Sequence, residues 1–455
     1  MLVIASDIHL GDGTCGRSIS PSAFHLFADR LQELAFNASW RANGGYSPVR
    51  QIDVLLMGDI LDPLHSTLWL EKSSANPGGV RPWTDSTRPE YAATLKAITR
   101  AILQNNAESA AMLKKLAQRG FTLPKYSAGN YPADDNTRRV SAKVNFHYMV
   151  GNHDWYYHLP GPEFDAIRQE IVAALGLSNQ DGPFPHELRE TGELQELLAS
   201  YQVFAQHGDL YDAFNYDKQK GRDASTLGDA FAVEIINRFP VEADRQLKEE
   251  LPPGFVESLR ELVNVRPALA TPLWISSQLR HNDVSQPIQQ KLKNLWDELG
   301  SQFLALPFVR ATDRPGKFDI VDGLEVAIKI TDRFSFKTLD DLVVWIRNKF
   351  WSEEITYAKN ALKEEAFLDR SAMFVVYGHT HHYEIVPLDS IPHGLHPSSQ
   401  MYMNSGTWHT YYDLAVYKPE EQKFVPYQVL SYLTFYKDDE RGGRRFETWS
   451  GAFSE

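Results

Sequence analysis

The sequence predicts an α/β fold, and three observations carry that prediction. Short apolar runs of strand type alternate with stretches whose apolar residues recur at helical spacing. Several of the apolar runs stop on the same kind of polar cluster, a glycine with Asp, Asn or His. Open α/β sheets place their sites at one rim, where the strands end. Finally, the rhythm is interrupted by a long stretch, about 215–370, which is too large for a simple crossover and reads as an insertion of domain size.

The first strand, Leu2 to Ala5, runs into Ser6-Asp7-Ile8-His9-Leu10-Gly11-Asp12. Asp7 and His9 are two residues apart, so an extended backbone turns both side chains to one side. A carboxylate and an imidazole so placed make a half-site for a divalent metal. A helix follows over Ser20 to Phe36, with Ser20 or Ser22 as cap and Phe24, Phe27, Leu31 and Leu34 on one face. Asn43, Gly44, Gly45 and Pro48 then break the chain.

The second strand, Ile52 to Met57, ends in Gly58-Asp59-Ile60-Leu61-Asp62. Asp59 is placed to offer one oxygen to each of two cations, and Asp62, three residues on, stands behind it. Ser73 to Arg88 reads as a loop, and Pro89 to Gly120 as one long helix closed by glycine. The third strand, Val144 to Val150, ends in Gly151-Asn152-His153-Asp154, and the aromatics Trp155, Tyr156 and Tyr157 behind it read as packing. Helices are expected at Glu163 to Leu175 and Glu193 to Tyr201. The fourth strand, Val203 to Gln206, ends in His207-Gly208-Asp209, and the fifth, Ala372 to Tyr377, in Gly378-His379-Thr380-His381-His382. His379 and His381 repeat the spacing of Asp7 and His9, whereas His382 reads as a surface histidine.

Taken singly, each cluster reads as an ordinary polar loop. Five strand ends carrying Asp/His, Asp, Asn/His, His and His/His do not. Oxygen and nitrogen donors without thiolate suit manganese, iron, zinc or cobalt, and a set this large suits two ions. Two cations about 3.5–4 Å apart clamp a phosphoryl centre and generate hydroxide at neutral pH.

The series Asp7-x-His9, Gly58-Asp59-x-x-Asp62, Gly151-Asn152-His153-Asp154, His207-Gly208 and Gly378-His379-x-His381 resembles the signature of the calcineurin-like metallophosphoesterases, in that family's order. The resemblance covers roughly 1–212 and 371–435. It implies a four-layer α/β/β/α sandwich with a large, mainly helical insertion. It also implies that Asp7, His9 and His381 hold one metal, that Asn152, His207 and His379 hold the other, and that Asp59 bridges them. His153 then faces the substrate as the catalytic group, with Asp62, Asp154 and Asp209 behind the ligands. Pro63 after Asp62, and Asp154 where the protein Ser/Thr phosphatases carry glutamate, argue against a protein substrate. Met403 to Trp408 and His207-Gly208-Asp209-x-Tyr211-Asp212 are closer to UDP-diacylglucosamine pyrophosphatase-like members.

The expected organisation is a core over 1–214, an insertion or cap over 215–370, and a second core part with the C-terminal tail over 371–455. Within the insertion, prolines cut short helices, Lys317 to Ile330 reads as a hairpin turning at Asp322-Gly323, and Leu339 to Phe367 is helical. Asp413 to Tyr417 and Phe424 to Phe435 read as strands completing a second sheet, and Arg441 to Glu455 as a polar tail.

Composition narrows the setting. No apolar run is long enough to span a membrane. The first strand begins at Leu2, which leaves no room for a signal peptide, and Cys15 is the only cysteine of 455 residues, so a reducing, cytoplasmic location is expected. The net charge of −13 gives no support for gripping long duplex nucleic acid. The expected activity is hydrolysis of a phosphodiester, phosphomonoester or pyrophosphate bond, in a small nucleotide-type substrate, by a metal-bound hydroxide. The alternatives are a nuclease acting on DNA ends or single strands, with nucleic acid as partner, and a non-catalytic scaffold on the same fold.

Overall fold

In a computed structural model of the 455-residue chain, residues 1–70, 76, 78–127, 129–134, 138–266, 271–312, 354–391, 398–415 and 423–453 are described. The fold is mixed α/β, with two sheets and helices. Strands β1 (Leu2–Ala5), β2 (Gln51–Met57), β3 (Phe121–Pro124) and β4 (Arg139–Met149) form one half of the large sheet, in the order β3-β4-β2-β1. β1, β2 and β4 run parallel, so their C-terminal ends share one rim. Both faces of β1 and β2 are covered, which explains their mostly apolar runs, whereas β3 and the first half of β4 alternate exposed and buried residues. Val3, Ala5, Val54 and Leu56 pack with Phe24, Phe27, Leu95 and Ile171 of helices α1 (Pro21–Ala38), α2 (Pro89–Asn105) and α4 (Pro162–Leu175). The alternate residues Leu2, Ile4, Leu55 and Met57 share a cluster with Val203, Ala205, Phe374, Val376 and Met403 of the small sheet.

That small sheet has the order β5-β7-β9-β8, built from β5 (Val203–Ala205), β7 (Phe374–Tyr377), β8 (Glu384–Ile391) and β9 (Ser398–Asn404). β5 and β7 are parallel, so His207 and His379 leave the same end.

Several expectations need correction. The stretch from Pro89 to Gly120 is two helices, α2 and α3 (Ala107–Arg119), because Asn106 leaves helical geometry (φ −109°, ψ 30°) and its amide donates to the carbonyls of Ile102 and Gly11. Strands β10 (His409–Leu414) and β11 (Phe424–Phe435) belong to the large sheet rather than the second one, since β11 pairs antiparallel with β1. The tail beyond Arg441 is not merely polar: Phe446–Phe453 is strand β12 on β11, with Trp449 stacked on Tyr432. The expected hairpin at Lys317 to Ile330 and most of the helix from Leu339 lie outside the described residues; Glu354–Ala361 and Glu365–Leu368 are helical.

The described part of the insertion is a set of helices around an apolar cluster of its own, including Phe239, Phe255, Trp274, Trp296 and Phe303. It is tied to the core by strand β6 (Val265–Arg266), which pairs with β10, and by an Arg81–Glu234 ion pair of 2.6 Å. Among the described residues no helix is long and apolar enough to cross a membrane.

Candidate metal centre

Each of the five strand ends delivers its polar residues to one place. The loops are laced together by backbone bonds: Asp7 N donates to Gly58 O (3.0 Å), His9 N to Asp59 O (2.9 Å), Gly58 N to Met149 O (3.0 Å) and Gly378 N to His207 O (2.9 Å). Asp7, His9, Asp59, His379 and His381 all have positive φ, 55°, 50°, 56°, 67° and 63°. Left-handed backbone is costly for residues with a Cβ and persists where the surroundings enforce it, typically at functional sites. This corrects the expectation that extended backbone alone aligns Asp7 with His9 and His379 with His381. β1 ends at Ala5 and β7 at Tyr377, and left-handed turns beyond them converge the side chains. Gly58 (φ 85°) and Gly151 clear the space: a Cβ would fall 2.4 Å from His207 Nδ1 at the first and 2.3 Å from Asp59 Oδ1 at the second.

Two adjoining donor sets result. Asp7, His9 and His381 bring ligand atoms within 4.8 Å of one another, and so do Asp59, His207 and His379. Asn152 Oδ1 joins the second set, 2.9 Å from His379 Nδ1 and 3.1 Å from His207 Nε2. Asp59 Oδ2 lies between the sets, 3.2 Å from His207 Nε2 and 3.8 Å from His9 Nε2. Asp7 Oδ1 lies 3.3 Å from His381 Nε2.

The outer nitrogen of every ring has a partner. His207 Nδ1 donates to the Met57 carbonyl (3.1 Å), His9 Nδ1 meets Asp62 Oδ2 (3.0 Å), His379 Nε2 meets Asp212 Oδ2 (3.1 Å) and His381 Nδ1 meets the Tyr411 hydroxyl (3.1 Å). A ring whose outer nitrogen donates carries its lone pair on the inner one when neutral. The inner nitrogens then confront acceptors, and His9 Nε2 and His381 Nε2 stand 3.0 Å apart. Lone pairs facing carboxylate and amide oxygens in a buried space call for a cation between them. Without one, the charge balance falls on protons. Burial pushes the His207 ring down, but Asp59 and Asp7 outweigh it and lift it to about 10. Against the cost of burial, the surrounding histidines hold Asp59 well below the usual carboxylate range. The residues therefore fit a pair of divalent cations.

His153 is outside both sets. Its backbone N–H donates to Asp59 Oδ1 (2.8 Å) and its Nδ1 meets Asp62 Oδ1 (3.1 Å), so Asp62 holds His9 with one oxygen and His153 with the other. Burial lowers the affinity of the His153 ring for its proton, but Asp62 and Asp59 reverse this and raise it to about 9. Asp154 accepts from Gly151 N (2.6 Å), Ile60 N (3.0 Å) and the Tyr148 hydroxyl (2.6 Å), pinning the Asn152 loop to the Asp59 loop. Asp209 accepts from Arg222 (2.6 Å), whereas the carboxylate on His379 is Asp212.

Asp212 and Tyr411 escaped sequence reading. Asp212 had a signal, since it closes the His207-Gly208-Asp209 block; Tyr411 had none. His65 was also missed. Its Nδ1 meets Asn237 Oδ1 of the insertion (2.8 Å), while Asn237 Nδ2 donates to Leu64 O (3.0 Å), and its ring lies 5.2 Å from that of His153. Trp155, Tyr156 and Tyr157 are buried packing residues, and His382 is exposed. In a separate group, His158, His186 and Asp223, the Asp223 Oδ1 bonds both rings (3.1 and 3.0 Å), while His186 Nδ1 is buried without a hydrogen-bond partner.

In comparisons with known proteins, no family model, no curated protein and no solved structure matches this chain.

Proposed function

We propose that the protein is a dinuclear metal-dependent phosphoesterase, built on the four-layer sandwich of the calcineurin-like metallophosphoesterases. One observation carries the reading. Four imidazoles, each held on its outer nitrogen, turn their inner nitrogens onto Asp7, Asp59 and Asn152 in two sets that meet at Asp59. The layers are supported by packing: α1, α2 and α4 cover one face of the large sheet, its other face shares a cluster with the small sheet, and Ala358 and Ala361 pack on Val375 and Tyr402 beyond.

Asp7, His9 and His381 would hold one ion, Asn152, His207 and His379 the other, and Asp59 both. Manganese, iron, zinc and cobalt all suit these nitrogen and oxygen donors. When bound, such a pair supplies Lewis acidity that lowers the pKa of water and offsets charge on phosphoryl oxygens. The chain does the rest. Asp62 orients the His153 ring, which lines a small pocket beside the site together with His9 and His65. From there His153 delivers a proton to the departing oxygen, as a positioned general acid. Val263 and Asn264 of the insertion wall the same pocket.

Screening manganese-loaded protein over nucleotides, sugar nucleotides, cyclic nucleotides and oligonucleotides tests the reading. It expects hydrolysis of a small phosphate ester that a chelator abolishes and manganese restores. Metal-loaded, folded protein inactive on every class would contradict it, and a preference for single-stranded oligonucleotides would move it to the nuclease.

A further inference from the structure

One short stretch of the insertion bonds directly to the loop that carries Asp62. Ala232–Asn237 is a π-helical turn set between the α-helices Leu227–Phe231 and Arg238–Leu247. Such wide turns are rare and frequently lie at functional sites. Three buried side chains in and beside this one reach the core. Asp229 accepts from the Trp155 indole (3.3 Å), Glu234 pairs with Arg81 (2.6 Å), and Asn237 holds the loop after Asp62.

Asn237 uses both ends of its amide. The Leu64 carbonyl can only accept, so Nδ2 must face it (3.0 Å), and this fixes which way the amide points. Oδ1 is left facing His65 Nδ1 (2.8 Å). An amide oxygen also only accepts, so the neutral His65 ring carries its proton on Nδ1 and its lone pair on Nε2. The ring is neutral at pH 7, since burial holds it down to about 4 against the pull of Asp62. One amide thus sets the tautomer of a ring and the path of the backbone beside it. That backbone leads to His153. His65 N–H donates to Asp62 Oδ1 (3.1 Å), the oxygen that also meets His153 Nδ1 (3.1 Å), and the two rings stand 5.2 Å apart.

We propose that Asn237 is a positioning residue for His153, so that the insertion completes the proton-donating half of the site. The inference rests on the phosphoesterase reading above. Asn237 acts through the turn from Asp62 to His65: with its two bonds gone, the turn loosens and Asp62 Oδ1 no longer holds the His153 ring in one place. A proton donor works only when it is held close to the atom it serves. The candidate ligand His9 is anchored independently, because its N–H bonds Asp59 O (2.9 Å) and Asp62 N–H bonds Leu10 O (2.9 Å). Metal content should therefore survive the loss of Asn237.

Two variants and two readouts test this on the full-length chain, each variant shown folded by its melting curve. Asn237→Leu keeps the volume and removes both bonds; His65→Phe keeps a ring and removes the polar partner. Nitrogen NMR of histidine-labelled, zinc-loaded protein reads the His65 tautomer, assigned by its disappearance in His65→Phe. The parent should show Nδ1–H, and Asn237→Leu a mixture with Nε2–H. Rates of manganese-loaded protein on thymidine 5′-(p-nitrophenyl phosphate) and thymidine 5′-(ethyl phosphate) read the need for an acid. In both variants kcat on the ethyl ester should fall at least about tenfold further than on the p-nitrophenyl ester, with KM and metal content near the parent's. An Nε2–H tautomer in the parent, a tautomer unchanged in Asn237→Leu, or an equal loss on both esters overturns the positioning role. Should Asn237→Leu not fold, the parent's tautomer and the ester rates of His65→Phe decide it. A metal-loaded parent inactive on both esters and on every class screened above overturns the phosphoesterase reading, and the positioning role with it.

Discussion

The two carboxylate oxygens of Asp62 divide their work between a candidate ligand and a candidate acid, His9 at 3.0 Å and His153 at 3.1 Å. Replacing His153 should therefore leave the metal sets intact and remove only the proton donor. A general acid matters in proportion to how badly the leaving oxygen needs a proton. His153→Asn is expected to keep its metal content and to lose roughly 10²–10⁴-fold on alkyl esters, the usual span for such catalysis. On a p-nitrophenyl ester, whose leaving group departs without a proton, the loss should be much smaller. Rates for both esters on one preparation decide the point. An equal drop would assign the ring to stabilising phosphoryl charge, and lost metal would make it a ligand.

Strand β2 carries a second buried carboxylate, far less exposed to functional explanation. Asp53 accepts from Asn145 Nδ2 (2.8 Å) and Gln51 Nε2 (2.9 Å), with His147 Nε2 at 3.4 Å. Burial would raise its pKa, but these bonds outweigh burial and hold it below the usual 3.8. A depressed carboxylate contributes stability above its unfolded pKa and loses it as pH falls through the folded value. Asp53→Asn should thus cost about 1–3 kcal/mol at neutral pH, the range for a buried acceptor with its bonds broken. The gap from the parent should narrow below about pH 4, because the parent then loses the same charge. Urea unfolding curves at a series of pH values measure it, and a gap constant with pH would contradict the assignment.

The same strands show what can be read from a chain. β1, β2, β5, β7 and the second half of β4 were legible because their buried runs are mostly apolar, whereas β3 and the first half of β4, where exposed residues alternate with buried ones, were not. The polar clusters at their ends were legible because apolar strands stop on them. The positive φ at Asp7, His9, Asp59, His379 and His381 was not legible, since it is imposed by neighbouring loops. Nor was the break at Asn106, whose side chain bonds a carbonyl ninety-five residues away, at Gly11. β12 was hidden by its arginine-rich lead-in and half-exposed alternation. Tyr411 is joined to His381 only by tertiary structure.

At the scale of the molecule, the insertion is neither a remote ornament nor a loose cover. Asn237 grips His65, Asp229 accepts from the Trp155 indole (3.3 Å), and insertion residues line the His153 pocket. These contacts tie the insertion to the core at the rim of the candidate site, while the core supplies the candidate donors. The account stands or falls on those donors holding two ions. Metal analysis of protein loaded with manganese and then dialysed is the direct measurement, with Asp59→Asn beside it. The account predicts two ions per chain in the parent, with the exchange-coupled electron paramagnetic resonance spectrum of a close pair, and fewer ions with the coupling lost in Asp59→Asn. A parent that keeps no ion or one, or an Asp59→Asn protein that keeps two coupled ions, would contradict it.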